Sequence, residues 1–288
     1  MEISGKTRLL GLLGSPVGHS KSPEMYNYCF EKFGRDCAYI AFDVPEENVA
    51  AGVRALRTLH VIGANVTMPL KTAVIPYLDE ITPAAKVTNS VNTIVNEDGR
   101  LIGYCTDGMG FTANLASGGV SVEGKKLTIL GGGGVSSAVS AQCALDGARE
   151  LSIFNRKDRF WPRLEAHAER IRAAAPNCTV NIYDLDDEAE LKRQIAESQI
   201  LANANCVGMA PLEDVSLIRD TSVFREDLVV ADVVYSPRET KLIREARAAG
   251  CKKTFGGLGM LLRQGAAALK LYTGDSMPVD EIEAYLYK

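Results

Sequence analysis

Two groups of residues in this chain have the types and spacing to do chemistry. The first is Leu127-Thr-Ile-Leu-Gly131-Gly132-Gly133-Gly134-Val135-Ser-Ser-Ala138, an apolar run, a glycine turn and the start of a small-residue helix. A glycine turn there lets a phosphate approach the backbone, and the helix start offers unpaired N–H groups at the positive end of its dipole. That is a pyrophosphate site. The spacing departs from G-x-G-x-x-G: Gly131, Gly133 and Gly134 fit, and Ala138 is expected to supply the close helix–strand contact. The next strand runs into Phe154-Asn155-Arg156-Lys157-Asp158. Asp158 stands roughly two dozen positions past Gly134, near the spacing of about 20 for an acid that bonds ribose hydroxyls. A carboxylate there repels a 2′-phosphate, whereas Arg156 and Lys157 attract one. NAD is the expected dinucleotide, with NADP also accepted. The competing reading of Asn-Arg-Lys-Asp is a solvated turn.

The second group lies in three polar segments of the first half, each following a strand. Gly14-Ser-Pro-Val-Gly-His-Ser20-Lys-Ser22-Pro23 carries two hydroxyls able to hold a carboxylate or vicinal hydroxyls. Ser22 reads equally as a cap for the following helix. Asn65-Val-Thr67-Met-Pro69-Leu-Lys71 is expected to place Lys71 in the first turn of a helix that starts near Pro69. The dipole would there disfavour its charged form and bring it towards proton transfer near neutrality. Gly103-Tyr-Cys-Thr106-Asp107-Gly108 offers Thr106 as a helix N-cap and Asp107 as an ionised carboxylate at the helix start. Asn92 could bond a substrate hydroxyl through its amide; Asn92 and Asp107 also suit plain turns.

The elements that must position these groups alternate in the α/β manner, which implies mostly parallel sheet. Strands are expected at Arg8 to Leu13, Ala38 to Val44 and Val61 to Thr67, with helices at Pro23 to Phe33 and Glu46 to Leu59. Val91 to Asn96 and Arg100 to Tyr104 flank Asp98-Gly99, a hairpin signal. A glycine-rich connection, Ser117 to Gly124, precedes a second series with strands at Leu127 to Leu130, Leu151 to Asn155, Thr179 to Tyr183, Ile200 to Asn203 and Leu228 to Val234. Helices are expected at Asp186 to Ser198 and Thr240 to Ala249, and two more between Met260 and the end. A domain boundary is expected between Asp107 and Glu123.

Bulk properties narrow the function. At 288 residues the chain suits two domains, and 46% hydrophobic with 24% charged residues is ordinary for a globular protein. A net charge of −4 argues against a general nucleic-acid or membrane surface, and no apolar run reaches the roughly 18 residues of a membrane span. Seven scattered cysteines without a C-x-x-C pair, and no export signal, predict reduced thiols in a cytoplasmic protein. Three isolated histidines, His19, His60 and His167, predict no metal site. A small-molecule substrate is therefore expected, and a monomer or homodimer.

Taken together, the residues resemble the shikimate dehydrogenase family. The likeness rests on Gly-Ser-Pro…His19-Ser20-Lys-Ser22-Pro23, Asn65-Val-Thr67-Met-Pro69-Leu-Lys71, Val91-Asn92-Thr93 and Thr106-Asp107-Gly108. It extends through the glycine run, Asn155-Arg156, Val207-Gly-Met209, Val234-Tyr235 and Gly257-Leu-Gly-Met260-Leu-Leu-Arg-Gln264, from about Leu10 to Gly274. Phe154-Asn-Arg-Lys-Asp158 looks more like the quinate/shikimate branch than the strictly NADP-dependent biosynthetic one. The resemblance implies Lys71 and Asp107 as the catalytic pair. It implies Ser20, Ser22, Tyr39, Thr67, Asn92, Thr106 and Gln264 around the substrate. Gly131 to Val135, Asn155 to Asp158, Cys206, Val233, Tyr235, Gly257 and Met260 would line the cofactor, NAD or NADP.

The implied fold is an α/β substrate domain, 1–115 with about 260–288, and a Rossmann domain, 116–259. The implied activity is reversible oxidation of quinate or shikimate, as in aromatic amino acid biosynthesis. A family dehydrogenase for an amino-substituted acid is a second reading. A non-catalytic regulator is a third, against which Lys71 and Asp107 argue. Cys105, where the family usually has Asn, Tyr26, where many members have His, and Asn203-Ala-Asn205-Cys206, in place of the commoner Asn-Ala-Thr, depart from the pattern.

Overall fold

The computed structural model describes residues 2–287. By internal packing the chain divides into residues up to Thr106 with those from Gly265 onward, and Asp107–Gln264. Each unit is built round its own six-stranded sheet.

The first unit runs β1 (Arg8–Gly14), α1 (Ser22–Lys32), β2 (Cys37–Asp43), α2 (Val49–Thr58), β3 (Gly63–Val66), β4 (Glu80–Ile81), α3 (Pro83–Thr88), β5 (Thr93–Glu97) and β6 (Arg100–Tyr104). A short 3₁₀ turn leads into α2 and another, Ile75–Tyr77, precedes β4. The strand order is β2-β1-β3-β5-β6-β4. Strands β2, β1 and β3 are parallel, and β5 is antiparallel to both β3 and β6, so the sheet is mixed. The β5–β6 hairpin forms where Asp98-Gly99 predicts it. Both residues have positive φ, 51° and 96°, the conformation a two-residue turn needs. Val53 and Leu56, one turn apart on α2, are buried with Leu10, Leu12, Ala64, Ile94 and Leu101 of the strands.

α4 (Thr106–Ser117) begins at the last residue of the first unit's long segment and continues into the second unit, which goes on with β7 (Lys126–Leu130), α5 (Gly134–Leu145), β8 (Glu150–Asn155), α6 (Trp161–Ala174), β9 (Thr179–Asp184), α7 (Glu188–Glu197), β10 (Ile200–Asn203), β11 (Val229–Asp232), α8 (Lys241–Ala248) and β12 (Lys253–Phe255). Its strand order, β12-β11-β10-β7-β8-β9, with every pair parallel, is the doubly wound dinucleotide-binding arrangement. α9 (Gly257–Thr273) and α10 (Val279–Leu286) complete the chain.

One expected element is absent. Residues 68–74 form a run of turns, so Lys71 does not stand in the first turn of an α-helix. The reason is where the backbone bonds go. The Lys71 carbonyl accepts from Val91 N–H at 2.8 Å, and Ile75 N–H donates to Thr72 rather than to Lys71. With its i→i+4 acceptor committed to another segment, the helix cannot propagate, and the dipole argument for Lys71 loses its helix. The structure also contains α3, α6, β4 and β12, which the pattern of the sequence does not announce.

Candidate active site

Strand register gathers the polar loops of the first unit at one sheet edge. Leu13 pairs with Val66, Asn65 with Thr93, and Thr93 with Tyr104. The ends of β1, β3 and β6 and the start of β5 therefore lie side by side. Ser20 and Ser22 follow the first, Thr67 and Lys71 the second, Thr106 the third, and Asn92 precedes the fourth.

A buried polar network stands at this edge. The Tyr39 hydroxyl donates to Asn65 Oδ1 at 2.8 Å, and Asn65 Nδ2 donates to the Thr93 hydroxyl at 3.2 Å. Thr93 in turn bonds Asn92 Oδ1 at 3.1 Å. Asn92 holds Thr106 through its backbone N–H at 2.7 Å and its hydroxyl at 3.0 Å. Burial pushes the Tyr39 hydroxyl far above its ordinary range, and bonds from Asn65 and Ser22 only partly offset this. Tyr39 thus stays a neutral donor. Tyr26, the departure from the family's His, stacks on Tyr39 with ring centroids 4.5 Å apart and donates to the Gly265 carbonyl at 3.1 Å. Its ring fills buried space; burial likewise keeps its hydroxyl protonated.

Ser22 is the first residue of α1, and no side chain caps that helix, so its capping reading does not hold. Its backbone N–H donates to the Ser20 hydroxyl at 3.2 Å. Lys21, between the two serines, donates to the Leu286 carbonyl at 2.7 Å and lies 4.6 Å from the centre of the Tyr287 ring. The end of α10 thereby anchors the serine loop. Thr67, Lys71 and Asp107 are partly buried, and Asp107 is the second residue of α4. Gln264 lies on α9, where a side chain at Gly110 would meet its backbone nitrogen at 2.7 Å.

In the second unit the glycine run divides by what surrounds each position. Gly131 has φ +123°, and a Cβ there would stand 2.8 Å from the Ala204 carbonyl oxygen. A Cβ on Gly132 would meet Asn155 at 3.0 Å, whereas one on Gly133 or Gly134 would meet nothing within 4 Å. The last two are exposed and border open space at the start of α5, whose N-terminus no side chain caps. A cradle of that kind, with free N–H groups, fits a pyrophosphate. Ala138 is buried, and its close neighbour is Gly108 of α4, where a Cβ would meet the Ala138 carbonyl at 2.4 Å. Two helices therefore approach closely at this position.

Asn155 ends β8, and Arg156, Lys157 and Asp158 follow it on the exposed loop. Asp158 Oδ1 accepts from Phe160 N–H at 2.8 Å, so one carboxylate oxygen shapes the turn into α6. Val135, Cys206 and Tyr235 are exposed, Val233 is half-buried and Met260 is buried. Gly257 is required: a Cβ there would stand 2.2 Å from the Val233 carbonyl.

A group not flagged by motif ties these loops together. Asp232 Oδ1 accepts from Asn203 Nδ2 and Val234 N–H, both at 2.9 Å, and its Oδ2 accepts from the Thr240 hydroxyl at 2.6 Å. Asn205 donates to the Leu130 carbonyl at 3.0 Å and accepts from Val207 N–H at 2.7 Å. Burial raises the Asp232 carboxyl, and its hydrogen bonds counter that in part. The only sequence signal is an acid and an asparagine closing apolar strands. Among the described residues no group of His, Cys, Asp and Glu could hold a metal ion, and no helix is long and apolar enough to cross a membrane.

Comparison with known proteins bears on both units. Residues 12–94 match the shikimate dehydrogenase substrate binding domain, and residues 257–286 the shikimate 5′-dehydrogenase C-terminal domain. A shikimate dehydrogenase (NADP(+)) of Streptococcus uberis is 48% identical over 287 residues, 99% of this chain and 97% of that protein. A crystal structure of shikimate 5-dehydrogenase from Listeria monocytogenes, in complex with shikimate and NAD, superposes with a TM-score of 0.96 at 43% identity, covering 100% of this chain and 99% of that one. Quinate dehydrogenase from Corynebacterium glutamicum in complex with NAD gives 0.85 at 30% identity, covering 98% and 99%. Of these three, the two shikimate dehydrogenases are the more similar, so the leaning towards a quinate branch is not supported at the level of whole-chain similarity.

Proposed function

The chain belongs to the shikimate dehydrogenase family, and on that premise we propose that it oxidises shikimate reversibly to 3-dehydroshikimate with a nicotinamide dinucleotide. The observation that carries this reading is the buried Tyr39–Asn65–Asn92–Thr106 network, which fixes polar loops at one sheet edge. Those loops present hydroxyls, an amide and an ammonium, the set a hydroxylated ring carboxylate requires.

Ser20 and Ser22 hold the substrate carboxylate, and Tyr39, Thr67, Asn92, Thr106 and Gln264 engage its hydroxyls. Lys71 moves the hydroxyl proton through its Nζ, with Asp107 as the second catalytic group. Gly131 to Val135 and the start of α5 hold the pyrophosphate. Asn155 to Asp158 face the adenosine ribose, and Cys206, Val233, Tyr235, Gly257 and Met260 serve the nicotinamide end. NAD(P), when bound, supplies the hydride acceptor. The protein's part is alignment and proton handling.

Quinate, oxidised to 3-dehydroquinate, is proposed as a second substrate, and NAD as the preferred dinucleotide. Asp158 favours NAD; the Listeria structure with NAD supports it, and the naming of the Streptococcus relative for NADP(+) does not. Pure protein assayed with shikimate and quinate against NAD and NADP tests all of this. Reduction of dinucleotide with shikimate is expected with both, faster with NAD. No turnover of shikimate with either would overturn the assignment, and no turnover of quinate would remove the second substrate alone.

A further inference from the structure

Asp184 and Asp186 stand where β9 ends beside the loop that carries Arg156, Lys157 and Asp158. We propose that these two carboxylates help to set the choice between NAD and NADP, by occupying the cations that a 2′-phosphate would need. The inference rests on the dinucleotide reading above and deepens it.

The sheet fixes the juxtaposition. Asn155 pairs with Asp184 at the last step of the β8–β9 ladder, and Leu185 N–H donates to the Asn155 carbonyl at 3.0 Å, one step further. The segment after β9 is therefore held against the loop after β8. Asp184 Oδ1 accepts from Asp186 N–H at 3.1 Å, a tight turn that keeps the two carboxylates next to each other. Lys157 Nζ lies 3.8 Å from Asp184 Oδ2, and Arg156 Nε lies 3.8 Å from Asp186 Oδ1. The two acids that follow have other partners. Asp187 caps α7 through Glu190 N–H at 3.0 Å, and Glu188 pairs with Arg219.

At 3.8 Å these pairs are coulombic contacts, too long for hydrogen bonds. The Arg156 and Lys157 side chains are each 63% exposed, so the attraction is screened and biases the cations without locking them. A ribose 2′-hydroxyl is neutral and needs only an acceptor, which Asp158 can provide. A 2′-phosphate carries up to two negative charges. On this loop pair it meets two cations already facing Asp184 and Asp186, with Asp158 as a third carboxylate. Its gain from Arg156 and Lys157 is reduced by the pairs it must displace. Asp184 and Asp186 thus act as specificity-determining residues from a neighbouring strand.

The test uses Asp184→Asn, Asp186→Asn and the double variant, which keep side-chain shape and remove charge. Binding of NAD, NADP and adenosine 2′,5′-bisphosphate is measured by calorimetry, with fluorescence of Trp161, 5.6 Å from Lys157 Nζ, as a second readout. Each single variant is expected to tighten NADP and the bisphosphate about threefold, and the double variant about tenfold. NAD should stay within about twofold, and the gain should shrink at about 0.5 M salt. Glu188→Gln, an equal loss of charge nearby, should leave the NADP-to-NAD ratio where it was. An unmoved ratio in the double variant, a parallel change for NAD and NADP, or an equal effect of Glu188→Gln overturns this inference alone. Failure of the unaltered protein to bind either dinucleotide overturns the functional reading and this inference with it.

Discussion

Asn92 holds Thr106 at two points, accepting from its backbone N–H at 2.7 Å and donating to its hydroxyl at 3.0 Å. The two residues flank the β5–β6 hairpin, so this bond pair closes the hairpin's open end. Both are buried, Asn92 at 3% and Thr106 at 0% exposure, where a polar group that loses its partner costs about 1–3 kcal/mol. Asn92→Ala should lower stability by about 2–3 kcal/mol and raise the KM for shikimate more than it lowers kcat. Thermal melting with steady-state kinetics checks this. Unchanged melting would mean that the hairpin holds its closure without the amide.

Lys71 is fixed through its backbone, by the 2.8 Å bond from Val91 N–H to its carbonyl, which any residue at position 71 would keep. Lys71→Ala and Lys71→Met should therefore fold and bind NAD as the unaltered protein does. Turnover should fall by at least about a hundredfold, the usual contribution of a positioned acid–base group. Single-turnover rates with shikimate read this directly, and a rate within tenfold of the original would remove Lys71 from the chemistry.

The glycine run offers two opposite outcomes within three residues. Gly131→Ala meets both a positive φ and the Ala204 carbonyl at 2.8 Å, so it should destabilise the second unit. Gly133→Ala meets nothing within 4 Å and should melt normally. Its methyl would instead intrude on the phosphate approach and weaken dinucleotide binding by about tenfold or more. Melting and calorimetry on both variants separate the roles, and normal NAD affinity in Gly133→Ala would move the pyrophosphate elsewhere.

What the sequence shows of this fold follows how local each signal is. The β5–β6 hairpin is legible because Asp98-Gly99 encodes its turn within two residues, and β7–α5 because an apolar strand, glycines and small residues follow in order. The turns at 68–74 are not, since what stops a helix there is the tertiary bond between Lys71 and Val91. Asp232 is hidden for a related reason: Val234 and Thr240 lie close to it along the chain, but Asn203 reaches it only through the pairing of β10 with β11. Asp184 and Asp186 are not legible along the chain because their effect crosses from β9 to the loop after β8, a neighbourhood set by strand pairing.

Acid should loosen the first unit through its C-terminal segment. Arg35 holds the Asp275 carboxyl below its ordinary range, and Lys32 and Tyr28 do the same for Glu281. A carboxylate depressed in the folded state contributes stability that is complete above its unfolded value, about 4, and is lost as pH falls through the lower folded value. The melting temperature is thus expected to hold between about pH 8 and 5 and to fall below about pH 4. Asp275→Asn should melt lower at neutral pH and show a shallower acid decline. An acid decline as steep as that of the unaltered protein would place the sensitivity in other groups.

Asp232 titrates in the opposite sense. Its carboxyl is raised by burial, so its contribution is greatest below the ordinary carboxylate value and declines as pH rises through the folded one. Above that window a buried anion remains, held by Asn203, Val234 N–H and Thr240. Asp232→Asn can keep all three bonds in one orientation, with Oδ1 towards Asn203 and Val234 and Nδ2 towards the Thr240 hydroxyl, which then accepts. The difference in melting temperature between Asp232→Asn and the unaltered protein should therefore move in favour of the variant as pH rises above about 4. Asp232→Ala removes the acceptors outright, should melt lower at every pH, and should raise the KM for dinucleotide by freeing the loop that carries Val233 and Tyr235. A pH-independent difference for Asp232→Asn would show that the carboxylate is fully compensated by its hydrogen bonds, and an unchanged dinucleotide KM in Asp232→Ala would show that the loop holds its place without it.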